Sequence, residues 1–208
     1  MSGGESLSGF VASVASSAPA PGGGSVSAHA GALAAALAQM VAGLTVGRKK
    51  YAAVENEMKD VALKASALVN ELSALVAKDA AAYTAVTTAY KLPGETPADA
   101  AKRAAAIDTA LLGAADVPLE TARACVRVLD LAATAASKGN SNAVSDAGVA
   151  ALLAEAGCRG AVYNVRINVS ALTDKSKGAR LVEACGRLLA QASERCKSVT
   201  ALVEKAIG

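Results

Sequence analysis

The sequence predicts an all-α fold, an antiparallel bundle of about six helices, and three observations carry this reading. Hydrophobic types make up 53% of the 208 residues but aromatics only 2%, with no Trp and a single Phe, Phe10. Roughly a quarter of the chain is Ala, the strongest helix former, and small side chains let helix axes approach closely. Apolar residues recur at spacings of three and four, with no strand-like alternation anywhere. No linker divides residues 1–208, and a chain of this length buries a sizeable core as one domain.

Gly and Pro punctuate the elements. A short helix is expected over about Leu7–Ser17. The run Pro19-Ala-Pro21-Gly-Gly-Gly24 is non-helical, and Gly24 or Ser25 caps a helix reaching about Val46, closed by Gly47. Tyr51 to Leu92 holds no Gly or Pro, so one long helix of about 60 Å is expected there. Leu92-Pro93-Gly94 ends it. Thr96-Pro97-Ala98-Asp99 reads as an N-cap, a Pro at the first helical position and an acidic third position. That helix is expected to be interrupted near Pro118 and to resume to about Ser137. Lys138-Gly139 breaks it, Asn140 or Ser141 starts a helix to about Leu172, and Thr173–Gly178 turn into a final helix.

Composition also narrows the function classes. A net charge of +3 is too small to suggest a nucleic-acid partner, and only Arg48-Lys49-Lys50 forms a basic cluster. The four cysteines (Cys125, Cys158, Cys185, Cys196) form no CxxC pair, and the lone His29 cannot complete a zinc pattern, so reduced core thiols and no metal site are expected. Ala28–Val46 is nearly uncharged, yet its Ala and Gly content fits a segment buried in a bundle better than a membrane span. The N-terminus lacks the basic start and apolar run of a signal peptide, which places the expected protein in the cytoplasm.

Two helices carry polar residues where packing asks for apolar ones. On the long helix Val54, Met58, Val61, Ala65, Leu68, Leu72 and Leu75 form an inward seam that continues through Ala82, Val86 and Ala89. Asp79 occupies the intervening seam position, with Tyr83 one turn on. A charge there is either an internal ion pair, a register-setting polar contact, or a general acid/base in a semi-dry cleft. On the helix after Asn140, one face gathers Asn142, Asp146, Val149, Leu153, Gly160, Asn164 and Ile167, with Asn168 at its edge. Opposite Glu155, Arg159 and Arg166, that face is expected to point inward, and several amides with a carboxylate fit a polar ligand cavity. Pro21-Gly22-Gly23-Gly24-Ser25 is either a flexible lead into a helix or a loop whose N–H groups meet a ligand. Arg48-Lys49-Lys50-Tyr51 is either a solvated turn or a clamp for an acidic ligand tail.

Taken together and in order, these segments resemble the cyclodeaminase/cyclohydrolase family acting on tetrahydrofolate. The resemblance rests on Pro21-Gly-Gly-Gly-Ser25, Leu44-Thr-Val-Gly-Arg-Lys-Lys-Tyr51, Asp79-Ala-Ala-Ala-Tyr83, Leu92-Pro93, Asp116-Val-Pro-Leu119, Gly139-Asn-Ser-Asn142, Ser145-Asp-Ala-Gly-Val149 and Asn164-Val-Arg-Ile-Asn168. Gly94 after Leu92-Pro93, and His29, depart from the family's usual residues. The resemblance implies a homodimeric helical enzyme hydrolysing 5,10-methenyltetrahydrofolate to 10-formyltetrahydrofolate, with no cofactor beyond the tetrahydrofolate substrate and neither nucleic acid nor membrane as partner. It implies Asp79 as principal acid/base, Tyr83 orienting it, and Asp146 as a second carboxylate. Asn140, Asn142, Asn164 and Asn168 would hold polar ligand edges, and Gly23, Gly24, Ser25, Lys49 and Lys50 the glutamyl tail or carbonyls. The alternatives are a formimidoyltetrahydrofolate cyclodeaminase releasing ammonia and, from another class, a non-catalytic helical interaction module.

Overall fold

The computed structural model describes residues 6–208 and shows six α-helices joined by short turns: α1 (Leu7–Val14), α2 (Gly23–Gly43), α3 (Glu55–Tyr90), α4 (Pro97–Lys138), α5 (Val144–Ser170) and α6 (Ala179–Ile207). There is no strand among the described residues. Helix α2 packs on α3, α4 and α5, and α6 lies against α4 and α5. The first helix contributes no buried residue and rests on the outer side of α2, where Phe10 packs against the His29 ring at 4.9 Å.

Local chemistry sets the ends. Thr96 caps α4 as its spacing predicts, its hydroxyl oxygen accepting the Asp99 N–H at 3.1 Å with Pro97 in the first turn. The expected long helix starts as a short 3₁₀ segment, Lys49–Val54, because Tyr51 departs from helical angles (φ −112°, ψ 16°). Before α5, Asn140 caps a 3₁₀ turn over Ser141–Ala143. Its backbone N–H donates to Thr45 Oγ1 at 2.8 Å and its Nδ2 to the Leu44 carbonyl at 3.1 Å, which ties the start of α5 to the end of α2.

Helix α4 corrects one expectation: it runs unbroken through Pro118 for 42 residues. A proline inside a helix removes one N–H and leaves the carbonyl four residues earlier without its helical partner. Here that carbonyl, of Ala114, accepts Asn168 Nδ2 of α5 at 2.8 Å, so the loss is made good by a neighbour. Pro118 itself is buried, where surrounding helices hold the segment straight.

The core is built from small residues. The α3 seam is buried from Met58 to Leu75 as its periodicity predicts. On α5, by contrast, the buried face is Ala147, Gly148, Ala150, Ala151, Ala154, Gly157, Cys158, Ala161, Val162 and Val165. The face expected inward is not the core face: Val149 and Ile167 are 46% and 65% exposed. Close approach explains the choice. A methyl at Gly157 would lie 2.9 Å from the Ser27 carbonyl oxygen and 3.4 Å from the Gly31 backbone nitrogen, so α2 and α5 meet almost backbone to backbone, and one at Gly31 would lie 2.8 Å from Cys125 Sγ of α4. Large side chains on α5 are pushed to the rim of that contact. The four cysteines are free and buried, and burial pushes the Cys158 thiol up to about 12.

One buried charge fastens the α5–α6 turn. Asp108 of α4, 4% exposed, accepts the Thr173 N–H at 2.8 Å and the Lys177 ammonium at 2.9 Å. The Lys177 hydrogen bond, with the Thr173 N–H behind it, holds the Asp108 carboxyl below the usual carboxylate range. A carboxyl depressed on folding contributes stability above its unfolded pKa of about 4, and that contribution is lost as pH falls through the folded value. Asp108→Asn should therefore lower the melting temperature at neutral pH, and the difference from wild type should shrink as pH drops below about 4. Thermal unfolding followed by circular dichroism across pH 3–7 checks both.

Candidate active site

The first two residues of α2, Gly23 and Gly24, present no side chains where they meet α5 and α3. Pro19, Ala20, Gly22, Gly23 and Gly24 form one wall of a cleft of about 340 Å³, with Asp79, Ala82, Tyr83 and Val86 of α3, Ala114 of α4, and Asn164, Ile167 and Asn168 of α5 around it. The glycines are a steric requirement. A methyl on Gly24 would overlap the Asp79 carboxylate, and one on Gly23 would press on Asn164 Nδ2 at 3.3 Å. The seam position that interrupts the α3 stripe thus faces an opening made by missing side chains, and Asp79 is half-buried there. No ion pair of Asp79 occurs among the described residues; its carboxylate lines the cleft and has a polar contact to Ser25.

Asp79 is oriented by Ser25. The Ser25 hydroxyl is fully buried and donates to Asp79 Oδ2 at 2.8 Å, with the Val76 carbonyl 3.3 Å away as an alternative acceptor. Ser25 therefore acts on the cleft through Asp79 and does not line it. At the same helix start, the N–H groups of the first turn have no intrahelical acceptor. A ligand carbonyl or carboxylate against Gly23 and Gly24 would meet these donors and the positive end of the α2 dipole.

The two α5 amides lie on the opposite side. Asn164 Nδ2 donates to the Gly160 carbonyl at 2.9 Å and Asn168 Nδ2 to that of Ala114 at 2.8 Å. Neither Oδ1 has a hydrogen-bond partner among the described residues. Each amide thus gives one N–H of its Nδ2 to a backbone carbonyl and keeps its oxygen as a free acceptor, while Asn164 Nδ2 also lies toward Gly23 of the cleft wall. The sequence suggested ligand amides of mixed character; the backbone partners that fix their polarity had no local sequence signal. Ala114 as a lining residue was missed, because its type carries no chemistry, while Ile167 stands on the α5 face that the sequence assigns to a ligand cavity.

The remaining expected residues form a second cluster at the other end of the bundle. Asp146 lies in the first turn of α5, about 27 Å along the axis from Asn164 at a rise of about 1.5 Å per residue. The expected meeting of Asp79 and Asp146 in one recess therefore does not occur within this chain, since a straight helix keeps its two ends apart. In the turn before α5, five residues ahead of Asp146, Ser141 meets exposed Lys50 at 3.5 Å and Tyr51, whose ring centroid is 5.2 Å from the Lys50 ammonium. Asn142 and Lys49, beside them in sequence, are exposed. Asn140 is buried and uses its side chain within the fold, accepting the Asn142 N–H at 3.1 Å besides its bond to Leu44. The Ser141 hydroxyl and backbone N–H, 3.2 and 3.0 Å from the Tyr51 oxygen, favour the phenolate and lower its pKa to about 8. Among the described residues, no group of three His, Cys, Asp or Glu side chains is placed to hold a metal ion.

A helical bundle with a carboxylate and two amides around a glycine-lined helix start defines a small-molecule site, and comparisons with known proteins give it a family. The chain belongs to the formiminotransferase-cyclodeaminase family, whose model matches residues 6–187. It is 46% identical over 192 residues to the methenyltetrahydrofolate cyclohydrolase of Methylorubrum extorquens, covering 92% of each chain. It is 40% identical over 169 residues to the formimidoyltransferase-cyclodeaminase of Mus musculus, covering 81% of this chain and 31% of that longer protein. The crystal structure of formiminotetrahydrofolate cyclodeaminase from Thermotoga maritima superposes with a TM-score of 0.87 at 31% identity, covering 98% of both chains.

The second cluster is open to a direct optical test. In a spectrophotometric titration at 295 nm, one of the four tyrosines should ionise near pH 8. Ser141→Ala should move that step up toward the ordinary value of about 10.

Proposed function

We propose that this protein hydrolyses 5,10-methenyltetrahydrofolate to 10-formyltetrahydrofolate, with Asp79 as the principal acid/base. The observation that carries this reading is the Asp79 carboxylate at the bare Gly23–Gly24 start of α2, facing Asn164 and Asn168, in a chain 46% identical to a protein named for that activity. The reaction begins with water adding to the cationic carbon between N5 and N10. As the C–O bond forms, Asp79 takes a proton from the water, and a neutral tetrahedral carbinol results. As the C–N5 bond breaks, the protonated Asp79 returns a proton to N5, and the carbinol hydroxyl loses its proton to solvent as the formyl C=O forms on N10. One proton is released overall.

Ser25, donating to Asp79 Oδ2, keeps the carboxylate in place during both proton transfers, and Tyr83 supports the carboxylate or the ligand from one turn away. A fixed carboxylate also stabilises the substrate cation, which by itself slows hydrolysis, so proton transfer must contribute more than that attraction. No metal or added cofactor enters the scheme. The cyclodeaminase reaction passes through a tetrahedral carbon between the same two nitrogens, and the likeness to the Thermotoga maritima protein keeps it as a second reading; ammonia release from 5-formiminotetrahydrofolate distinguishes it.

We further infer a homodimer acting in the cytoplasm. Helix α2 is long and apolar enough to cross a membrane by length and composition, carries no charged residue, and is half buried. A helix apolar on all sides has its outer face covered. That outer stripe is Val26, Ala30, Leu33, Leu37, Met40 and Leu44, spaced four and three. Its first half shares a groove with Leu7, Phe10, Val11 and Val14 of α1 and half-buried Leu153 of α5, and beside it on α5 stand exposed Val149, Ala156, Tyr163 and Ile167. Two copies packed through these stripes about a two-fold axis near Ala156 would bring the Asp146, Lys49 and Lys50 end of one copy to the Asp79 cleft of the other. This accounts for polar residues of one resemblance lying at two ends of a single chain.

Two experiments test these readings. The loss of methenyltetrahydrofolate absorbance above its spontaneous hydrolysis should be catalysed by the wild type and reduced about 10²–10⁴-fold in Asp79→Asn, the range of positioned acid/base catalysis. Gly24→Ala, which displaces the carboxylate, should show a loss of the same order. An unchanged rate in Asp79→Asn would remove its assigned role. Separately, wild type should elute with the mass of a dimer in size exclusion with light scattering, and Leu152→Glu, on the exposed α5 face, should be a folded monomer of low activity. A monomeric wild type would end the shared-site reading.

A further inference from the structure

Pro118 stands in the middle of a 42-residue helix, is buried, and is not among the residues lining the cleft. As a helix residue it is costly, since proline in a helix interior loses a hydrogen bond and crowds the preceding turn. Its one specific consequence is the carbonyl it leaves free. Ala114, four residues earlier, lines the cleft and gives that carbonyl to Asn168 Nδ2 at 2.8 Å.

An Asn side chain can turn over, exchanging its oxygen and its NH₂ group with little change of shape. If Asn168 turned over here, its oxygen would face the Ala114 oxygen, and a carbonyl with no helical donor would be left unpaired beside it. An unmet acceptor at this depth is unfavourable, and two facing oxygens add repulsion. With an N–H at position 118, the Ala114 carbonyl would be satisfied inside its own helix, and the turned-over amide would cost only the contact between the two oxygens, without the unpaired acceptor. Proline is the residue type that removes this alternative without adding a side-chain group to the cleft.

We propose that Pro118 is a positioning residue that fixes the hydrogen-bonding polarity of Asn168, so that the cleft presents acceptors to its ligand. Asn164, with its NH₂ group on the Gly160 carbonyl, presents the same polarity one turn away. Two amide oxygens in a row, beside the Asp79 carboxylate, select a ligand edge made of N–H donors. In the folate reading, on which this inference rests, that edge is the 2-amino and N3–H side of the pterin. The glycine N–H groups across the cleft then remain for ligand oxygens.

The test is a double-mutant cycle in the full chain. Pro118→Ala should melt at the same temperature as wild type or higher, keep kcat within about twofold, and raise KM for methenyltetrahydrofolate about three- to tenfold, the effect of weakening one neutral hydrogen bond. Asn168→Ala should raise KM by at least as much, and Pro118→Ala added to it should raise KM no further. An unchanged KM in Pro118→Ala, or the same KM rise whether or not Asn168 is present, would overturn the proposal. A Pro118→Ala protein that fails to fold would also count against it, because the proposal assigns Pro118 no contribution to stability. If wild type shows no hydrolysis at all, it is the folate reading that fails; if hydrolysis is present and KM is insensitive to Pro118, only this inference falls.

Discussion

The arrangement depends on how closely the backbone of α2 approaches its neighbours. Gly23 and Gly24 admit the Asn164 amide and the Asp79 carboxylate, and Gly31 and Gly157 let α2 pass almost directly against α5. Every feature of the cleft follows from that contact. A side chain at Gly24 would occupy the carboxylate position, and a larger residue at Gly157 would push α5 and its amides away. The abundance of Ala has the same role at lower resolution: it keeps interhelical distances short enough for helix backbones to serve as binding surface.

Short distances also put backbone groups at risk of being left unpaired, and the site uses those groups. The carbonyl freed by Pro118 anchors Asn168, the Gly160 carbonyl anchors Asn164, and the buried Ser25 hydroxyl links α2 to the Asp79 carboxylate. Polar side chains here are held by backbone atoms of rigid helices, and their free ends face the cleft. Such anchoring limits the rotation of each group before a ligand arrives, which is the condition for a site to favour one ligand orientation.

The outer surface has a different logic. The stripes on α2 and α5 are apolar yet exposed in one chain, and they connect the Asp79 cleft with the Asp146 and Lys49–Lys50 cluster at the far end. Polar residues on the α5 face and apolar ones between them belong to the same helical stripe. In the proposed pair of chains this face would lie between the two copies. The single chain keeps the smallest residues of α5 for its own core and leaves large ones at the rim.

Much of the fold was legible without coordinates. The helical class, the six elements, the Thr96–Pro97 cap and the α3 seam with Asp79 out of place all follow from residue type and spacing, which are local properties of a helix. What local properties do not contain is which neighbour answers each group. Pro118 reads as a break because its missing hydrogen bond is local, while the Asn168 amide that compensates it is 50 residues away. The face opposite Glu155, Arg159 and Arg166 on α5 is not the inward one, because packing distance selects the Ala and Gly face for this interior. The membership of the cleft was likewise half visible: Asp79, Tyr83, Asn164 and Asn168 come together, and Asp146 stands at the other end. Periodicity gives an angle around a helix axis, and two residues at the same angle can still lie several turns apart. Only the packing of whole helices against one another decides which of those turns share a cavity.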